Sequence, residues 1–221
     1  MMIPLMTAAS LHAMDEKDTA AHVNKFIEAA KTGNVDGMQE LLTPGLVNIN
    51  AQNKSGDTAL GHAILAEQID SVNFLLSQRH INPNIPNNLG VTALMMAAGR
   101  PSGTIFIPQL IKAGATIDAI DPRTGRTALH WAILKKMPDN VTLLVSLHAN
   151  THVKNKIADN ALLFAIKEGS AATLKPLLHP GHFTDTELVQ AFTLAYQLDK
   201  DEMIRALANF TAARAKQKAA E

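Results

Sequence analysis

The stretch Thr124-Gly125-Arg126-Thr127-Ala128-Leu129-His130-Trp131-Ala132 decides how this chain is read, because it is the clearest copy of a recurring phrase. Gly56-Asp57-Thr58-Ala59-Leu60-Gly61-His62-Ala63 and Gly90-Val91-Thr92-Ala93-Leu94-Met95-Met96-Ala97 precede it. A faded copy, Ala158-Asp159-Asn160-Ala161-Leu162-Leu163-Phe164-Ala165, follows. The threonine slot moves from 58 to 92, 127 and 160, in steps of 34, 35 and 33 residues. Self-similarity at that period marks stacked repeats, each of which buries its apolar faces only against the next.

The phrase has a direct physical meaning. Each Gly-x-Thr stands where a turn meets a helix: glycine supplies a permissive backbone and the threonine hydroxyl can cap the first helical amides. Small alanines then let helices approach closely. Twelve and thirteen residues beyond each core alanine comes an apolar pair, the inward stripe of a second helix. Ala29 leads to Leu41-Leu42, Ala63 to Leu75-Leu76, Ala132 to Leu144-Val145 and Ala165 to Leu177-Leu178. The unit is therefore helix, turn, helix, hairpin.

Between units, Asn50, Asn84, Asp118 and His152 recur at 34 residues, and so do Asn53, Asn87, Asp121 and Asn155. Asn and Asp favour turns, since their side chains bond nearby backbone amides; hairpin formation explains them better than ligand binding. Two irregularities interrupt the pattern. Gly99-Arg100-Pro101-Ser102-Gly103 lengthens one inter-helix turn, and Asp121-Pro122-Arg123-Thr124-Gly125 lengthens a hairpin by one residue. Insertions of this kind map to loops, some of them on a binding side; structural tolerance is the simpler account of the first.

The phrase resembles the ankyrin repeat, G-x-T-P-L-H-x-A at a period of about 33 residues, over roughly residues 20–210. Alanine replaces the usual proline at 59, 93, 128 and 161, and only His130 fills the usual histidine slot. The resemblance implies an all-α, helix-turn-helix solenoid with short β-hairpin connections, about five units long. It also implies a non-enzymatic protein-protein interaction module, an adaptor or inhibitor that binds through hairpin tips and the concave face of the first helices. Carried onto this chain, those positions include Lys54, Ser55, Asp57, Asn88, Leu89, Val91, Arg123, Arg126, Lys156 and Asp159. The fold does not demand their identity, which leaves them free for partner selection. His130 is implied to be structural, bonding across neighbouring repeats.

The organisation expected is an N-terminal segment over 1–18, the repeats over 19–182, a capping unit over 183–210 and a solvated helical tail over 211–221. The capping unit opens on Thr184-Asp185-Thr186-Glu187, a capping box, and Leu207 stands twelve residues after Ala195 as in the repeats. Met1–Ala13 is apolar and ends in small residues, like the rear of a secretory signal, but lacks a charged n-region. A packing or frayed terminus in a cytoplasmic protein is the reading taken; an exported bacterial-type ankyrin protein is the alternative.

Composition narrows function further. Apolar residues make up 47% and aromatics 4%, so the core is aliphatic. Twenty basic and twenty acidic side chains cancel, which removes the global electrostatic case for nucleic acid. There is no cysteine for thiolate chemistry and no stretch approaching a membrane span. Histidine is the only abundant candidate, in the pairs His148/His152 and His179/His182, but zinc wants three or four converging ligands. No catalytic motif is present, so no catalytic, cofactor or metal residue is assigned, and a histidine-based metal enzyme is the least favoured class. Trp131 reads as a core residue.

The neutral total hides a polarity. Residues 1–80 hold five basic and nine acidic side chains, residues 81–168 nine basic and five acidic. Arg123, Arg126, Lys154 and Lys156 cluster on consecutive hairpins. A solvated charged face and a site for an acidic partner opposite the third and fourth units both fit. The expected partner is one other protein, bound by a monomer.

Overall fold

In the computed structural model, residues 16–42, 46–179 and 181–220 are described; Met1–Ala13, read above as a terminal segment or a signal, lies outside them. The described residues form twelve α-helices and one short 3-10 turn. In chain order they are α1 Glu16–Thr32, α2 Val35–Leu42, α3 Ala59–Leu65, α4 Ile69–Ser77, α5 Ala93–Ala98 and α6 Gly103–Lys112. The series continues with α7 Ala128–Leu134, α8 Pro138–Ser146, α9 Ala161–Glu168, α10 Ala171–Leu174, α11 Asp185–Gln197 and α12 Asp201–Ala220. The fold class is an all-α ankyrin solenoid. Two compact units make it up. The first is built on residues up to Ala97 with Pro108–Ala115, the second on Ala98–Ile107 with the chain from Thr116 onward.

Within the first unit α1 packs on α3, with α2 and α4 behind them. Within the second, α7 packs on α9 and α9 on α11, while α8, α10 and α12 form the second row. The core alanines explain the closeness: Ala63, Ala97, Ala132, Ala165 and Ala195 are 0% exposed and Ala29 is 9%. In three of the four apolar pairs Leu75, Leu144 and Leu177 are buried and their neighbours half-buried, while Leu41 and Leu42 are both half-buried.

Four of the first helices, α1, α3, α7 and α11, end by the same device. The amide two residues past the turn reaches back five residues to a core alanine carbonyl: Asn34 to Ala29, Gln68 to Ala63, Met137 to Ala132 and Lys200 to Ala195, all at 2.9 Å. This is the Schellman closure, and it puts Gly33, Glu67, Lys136 and Asp199 in the left-handed region. The recurrence at Asp199 shows that α11 and α12 turn as a repeat does. Helix α5 runs instead into the long Gly99–Gly103 turn, and α9 departs as well: Gly169 has φ −84°, and Ser170 caps α10.

One local difference from the sequence reading stands out. The hairpin connections contain no strands among the described residues; one isolated bridge, Gln52 to Thr58, is all the pairing seen. Their backbone hydrogen bonds are divided between single backbone links, such as Asn53 N to Asp57 O, and Asn or Asp side-chain acceptors. Helix α12 continues through residue 210 to Ala220, because nothing in Thr211–Ala220 interrupts a helix.

Asn140 fastens the long Gly99–Gly103 turn, adding to the turn's own bond from Gly103 N to Arg100 O at 3.0 Å. Its side-chain amide, on a residue 1% exposed, donates to Ala98 O at 3.0 Å and to Arg100 O at 2.7 Å.

Candidate protein-binding fingers

Every connection between repeats is organised by one Asn or Asp. In the first unit, Asn53 Oδ1 accepts from the amides of Ser55 and Asp57, and Asn53 N donates to Asp57 O. Asn87 repeats this with Leu89 and Val91. The two fingers are joined: Asn88 N donates to Ser55 O at 3.0 Å, and Asn88 Nδ2 to Lys54 O at 2.9 Å. Gly56 is demanded twice over. Its φ is +77°, and a Cβ there would lie 2.6 Å from Asn88 N.

In the second unit Asp121 Oδ1 accepts from the amides of Arg123 and Thr124, with the Thr124 hydroxyl on Oδ2. Asn155 Oδ1 accepts from Ile157 and Asp159. Lys156 N donates to Thr124 O at 2.9 Å, joining these fingers as well. A Cβ on Gly125 (φ +71°) would meet Lys156 N at 2.9 Å, whereas Ala158 carries its Cβ at φ +63°.

The residues expected at a partner surface separate on this frame. Lys54, Ser55, Asn88, Leu89, Arg123 and Lys156 are exposed, Leu89 by 50%. Asn88 nevertheless spends its amide inside the frame. Val91 is half-buried. Asp57 is half-buried too, with Oδ1 accepting from Asn87 Nδ2 at 3.0 Å and Oδ2 3.6 Å from His62 Nε2. Arg126 lays its guanidinium over the Phe164 ring, 5.1 Å from the centroid. Asp159 is 3% exposed and ion-paired to Lys167 Nζ at 2.7 Å. Asp159 and Arg126 thus serve the inside of the repeat.

His130 sits among them. Thr127 N and Oγ1 both donate to its Nδ1, at 3.3 and 3.0 Å, and Nε2 reaches Asp159 O at 3.4 Å. That network assigns the Nε2–H tautomer and makes His130 the bond between two repeats. Burial, first of all, holds its pKa below the ordinary value, and the Arg126 charge adds to this. Trp131 is half-buried rather than in the core, at the slot filled by His62 and Met96 in earlier copies, and its enclosed Nε1 has no protein acceptor.

Sequence reasoning passed over Ile120 and Ile157, which are 57% and 63% exposed. A signal was present for Ile157: it stands two residues after Asn155, as Leu89 does after Asn87. In the first unit a cleft of about 420 Å³ lies between α1 and the first finger, lined by Thr19, Ala20, Val23, Asn24 and Gln52–Lys54.

At the C-terminal end Glu187 replaces the Asn ladder. Its Oε2 accepts from Thr184 N at 2.9 Å, closing the α11 capping box, and its Oε1 meets Asn160 Nδ2 at 3.4 Å and His152 Nε2 at 3.5 Å. Burial alone would raise this carboxyl, but the Thr184 hydrogen bonds and the nearby His152 and Lys154 hold it below its usual range. His152 also packs on Phe183, 5.3 Å between ring centres. Among the described residues no three His, Asp or Glu side chains converge as a metal-binding group.

Comparison with known proteins agrees with the repeat geometry. Residues 26–107 and 79–156 match the family "Ankyrin repeats (3 copies)". The chain belongs to the ankyrin-repeat family. Neurogenic locus notch homolog protein 1 of Xenopus laevis is 29% identical over 159 residues, covering 71% of this chain and 6% of that protein. Rabankyrin-5 of Homo sapiens is 28% identical over 157 residues, covering 69% of this chain and 13% of that protein. The chain therefore spans only a small part of the length of these relatives. Ankyrin repeats imply a protein-protein interaction module. No helix among the described residues is long and apolar enough to cross a membrane.

Proposed function

We propose that this chain is a non-enzymatic module, an adaptor or inhibitor, that grips one other protein through its finger tips and the faces of its first helices. One observation carries the reading. The finger backbones are satisfied from within by Asn53, Asn87, Asp121 and Asn155, so exposed Lys54, Ser55, Leu89, Arg123 and Lys156 have no side-chain duty in the fold. Such preorganised loops lose little entropy on binding. The module acts as a monomer in the cytoplasm, with export as the alternative that sequencing the mature N-terminus decides.

The test is capture by the immobilised full chain, with Lys54→Glu/Leu89→Asp and Arg123→Glu/Lys156→Glu variants beside it. Specific proteins retained by the native chain and lost by either variant, at unchanged melting temperature, are the expected result. Retention of every captured protein by both variants would overturn the finger reading.

A further inference from the structure

We infer that the fingers of the second unit accept an extended acidic segment of another protein, one that carries an aliphatic side chain between its carboxylates. This rests on the protein-binding reading above and narrows it to a chemistry. Arg123, Lys154 and Lys156 are exposed on two consecutive fingers tied by the Lys156 N to Thr124 O bond. Among the described residues none of Arg123, Lys154 and Lys156 has a carboxylate within ion-pair distance.

The acids of the same loops are all committed inward. Asp118 Oδ1 accepts from Asn150 N, and Asp121 holds its own turn. Asp159 pairs with Lys167, and Glu187 caps α11. The loop geometry thus holds these carboxylates on their own turns and helix ends, and leaves the three cations at the surface without an ion-pair partner.

Beside these cations stand Ile120 and Ile157, 57% and 63% exposed. A purely solvated charged face has no use for two large aliphatic side chains. Nor does a nucleic-acid groove, which interleaves its cations with aromatic rings for stacking; these fingers carry none. Cations flanking aliphatic side chains, on loops whose backbone is already bonded, fit a strand read by its side chains. Carboxylates would meet Arg123, Lys154 and Lys156, and a Leu, Ile or Val would cover Ile157. Such charges set on-rate and specificity, and the aliphatic contact resists dissociation.

The experiment is to pan a random 16-residue peptide library on phage against the full chain. The Arg123→Glu/Lys154→Glu/Lys156→Glu variant serves as counter-selection, and the corresponding alanine triple variant covers a failure of the first to fold. Enriched peptides are expected to be acidic and to contain an aliphatic residue. Synthetic versions should lose affinity roughly tenfold or more on the charge-reversed chain, several-fold on Ile157→Ser, and progressively as salt is raised from 50 to 300 mM. Peptides that enrich without acidic bias, or that bind the variants as well as the native chain, overturn the inference and leave the wider protein-binding reading standing. Failure of any peptide to enrich also overturns it, as does displacement of a bound peptide by a 20-nucleotide single-stranded DNA. Loss of capture by both finger variants in the earlier test is unaffected by these outcomes, so the two readings fail separately.

Discussion

Ala158 holds a backbone conformation that Gly56, Gly90 and Gly125 hold at the matching positions of other fingers, all with φ between +63° and +79°. A Cβ there costs about 1 kcal/mol, so Ala158→Gly is expected to raise the melting temperature by roughly 2–4 °C in a chain of this size. Gly125→Ala should do the reverse and more, because its Cβ also presses on the Lys156 amide. Thermal melts of the two variants check both signs. His130 gives a third residue-scale expectation. Its folded pKa lies below the unfolded value near 6.5, so the unfolded chain binds the extra proton between those two pH values. Stability is therefore full above about pH 6.5 and lost as pH falls through the folded pKa. A urea titration series between pH 7.5 and 5 should show this loss, and His130→Asn should flatten it.

At the scale of elements, two side chains from distant helices decide what the local sequence leaves open. Asn140, on α8, donates to Ala98 O and joins the Gly103 amide on Arg100 O across the long turn before α6. Asn140→Ala takes the side-chain donor from Ala98 O, leaves Arg100 O with the Gly103 amide alone, and should cost about 1–2 kcal/mol, read from urea unfolding. Lys167, on α9, neutralises the buried carboxylate of Asp159. Since Lys167 itself is about a third exposed, solvent softens the loss, and Lys167→Met is expected to destabilise by about 2 kcal/mol rather than the larger figure for a fully buried pair. The helix pairs were legible because capping residues, core alanines and apolar stripes act within a few residues of one another. The inward turn of Asp159 was not, because it depends on Lys167 and on His130, 29 residues upstream. Trp131 was misplaced toward the core for the same reason: its slot is set by the neighbouring repeat, not by the phrase that contains it.

At the scale of the whole molecule, charge and burial play separate parts. The ion pairs Lys31–Glu28 and Arg205–Asp201 are exposed on both partners, and such pairs contribute about 0–1 kcal/mol. Stability rests on the alanine and leucine faces, so raising salt from 50 to 500 mM should move the melting temperature by no more than a few degrees, while partner binding through the basic fingers weakens. A melt and a binding titration in the same buffers separate the two effects.

The sequence by itself determined the repeat, its period, the helix pairs, the Asn and Asp turns and the glycines they require. All of these follow from backbone rules that operate over four or five residues and are written out again every 33 to 35. Tertiary structure alone decided which finger residues face outward. It turned Asp159 and Arg126 inward, left Ile120 and Ile157 in solvent, bound the long turn to Asn140 and gathered His152, Asn160 and Thr184 on Glu187. The physical reason is that a side chain's direction on a short bonded loop depends on which partner from the next repeat reaches it, and that partner lies some thirty residues away.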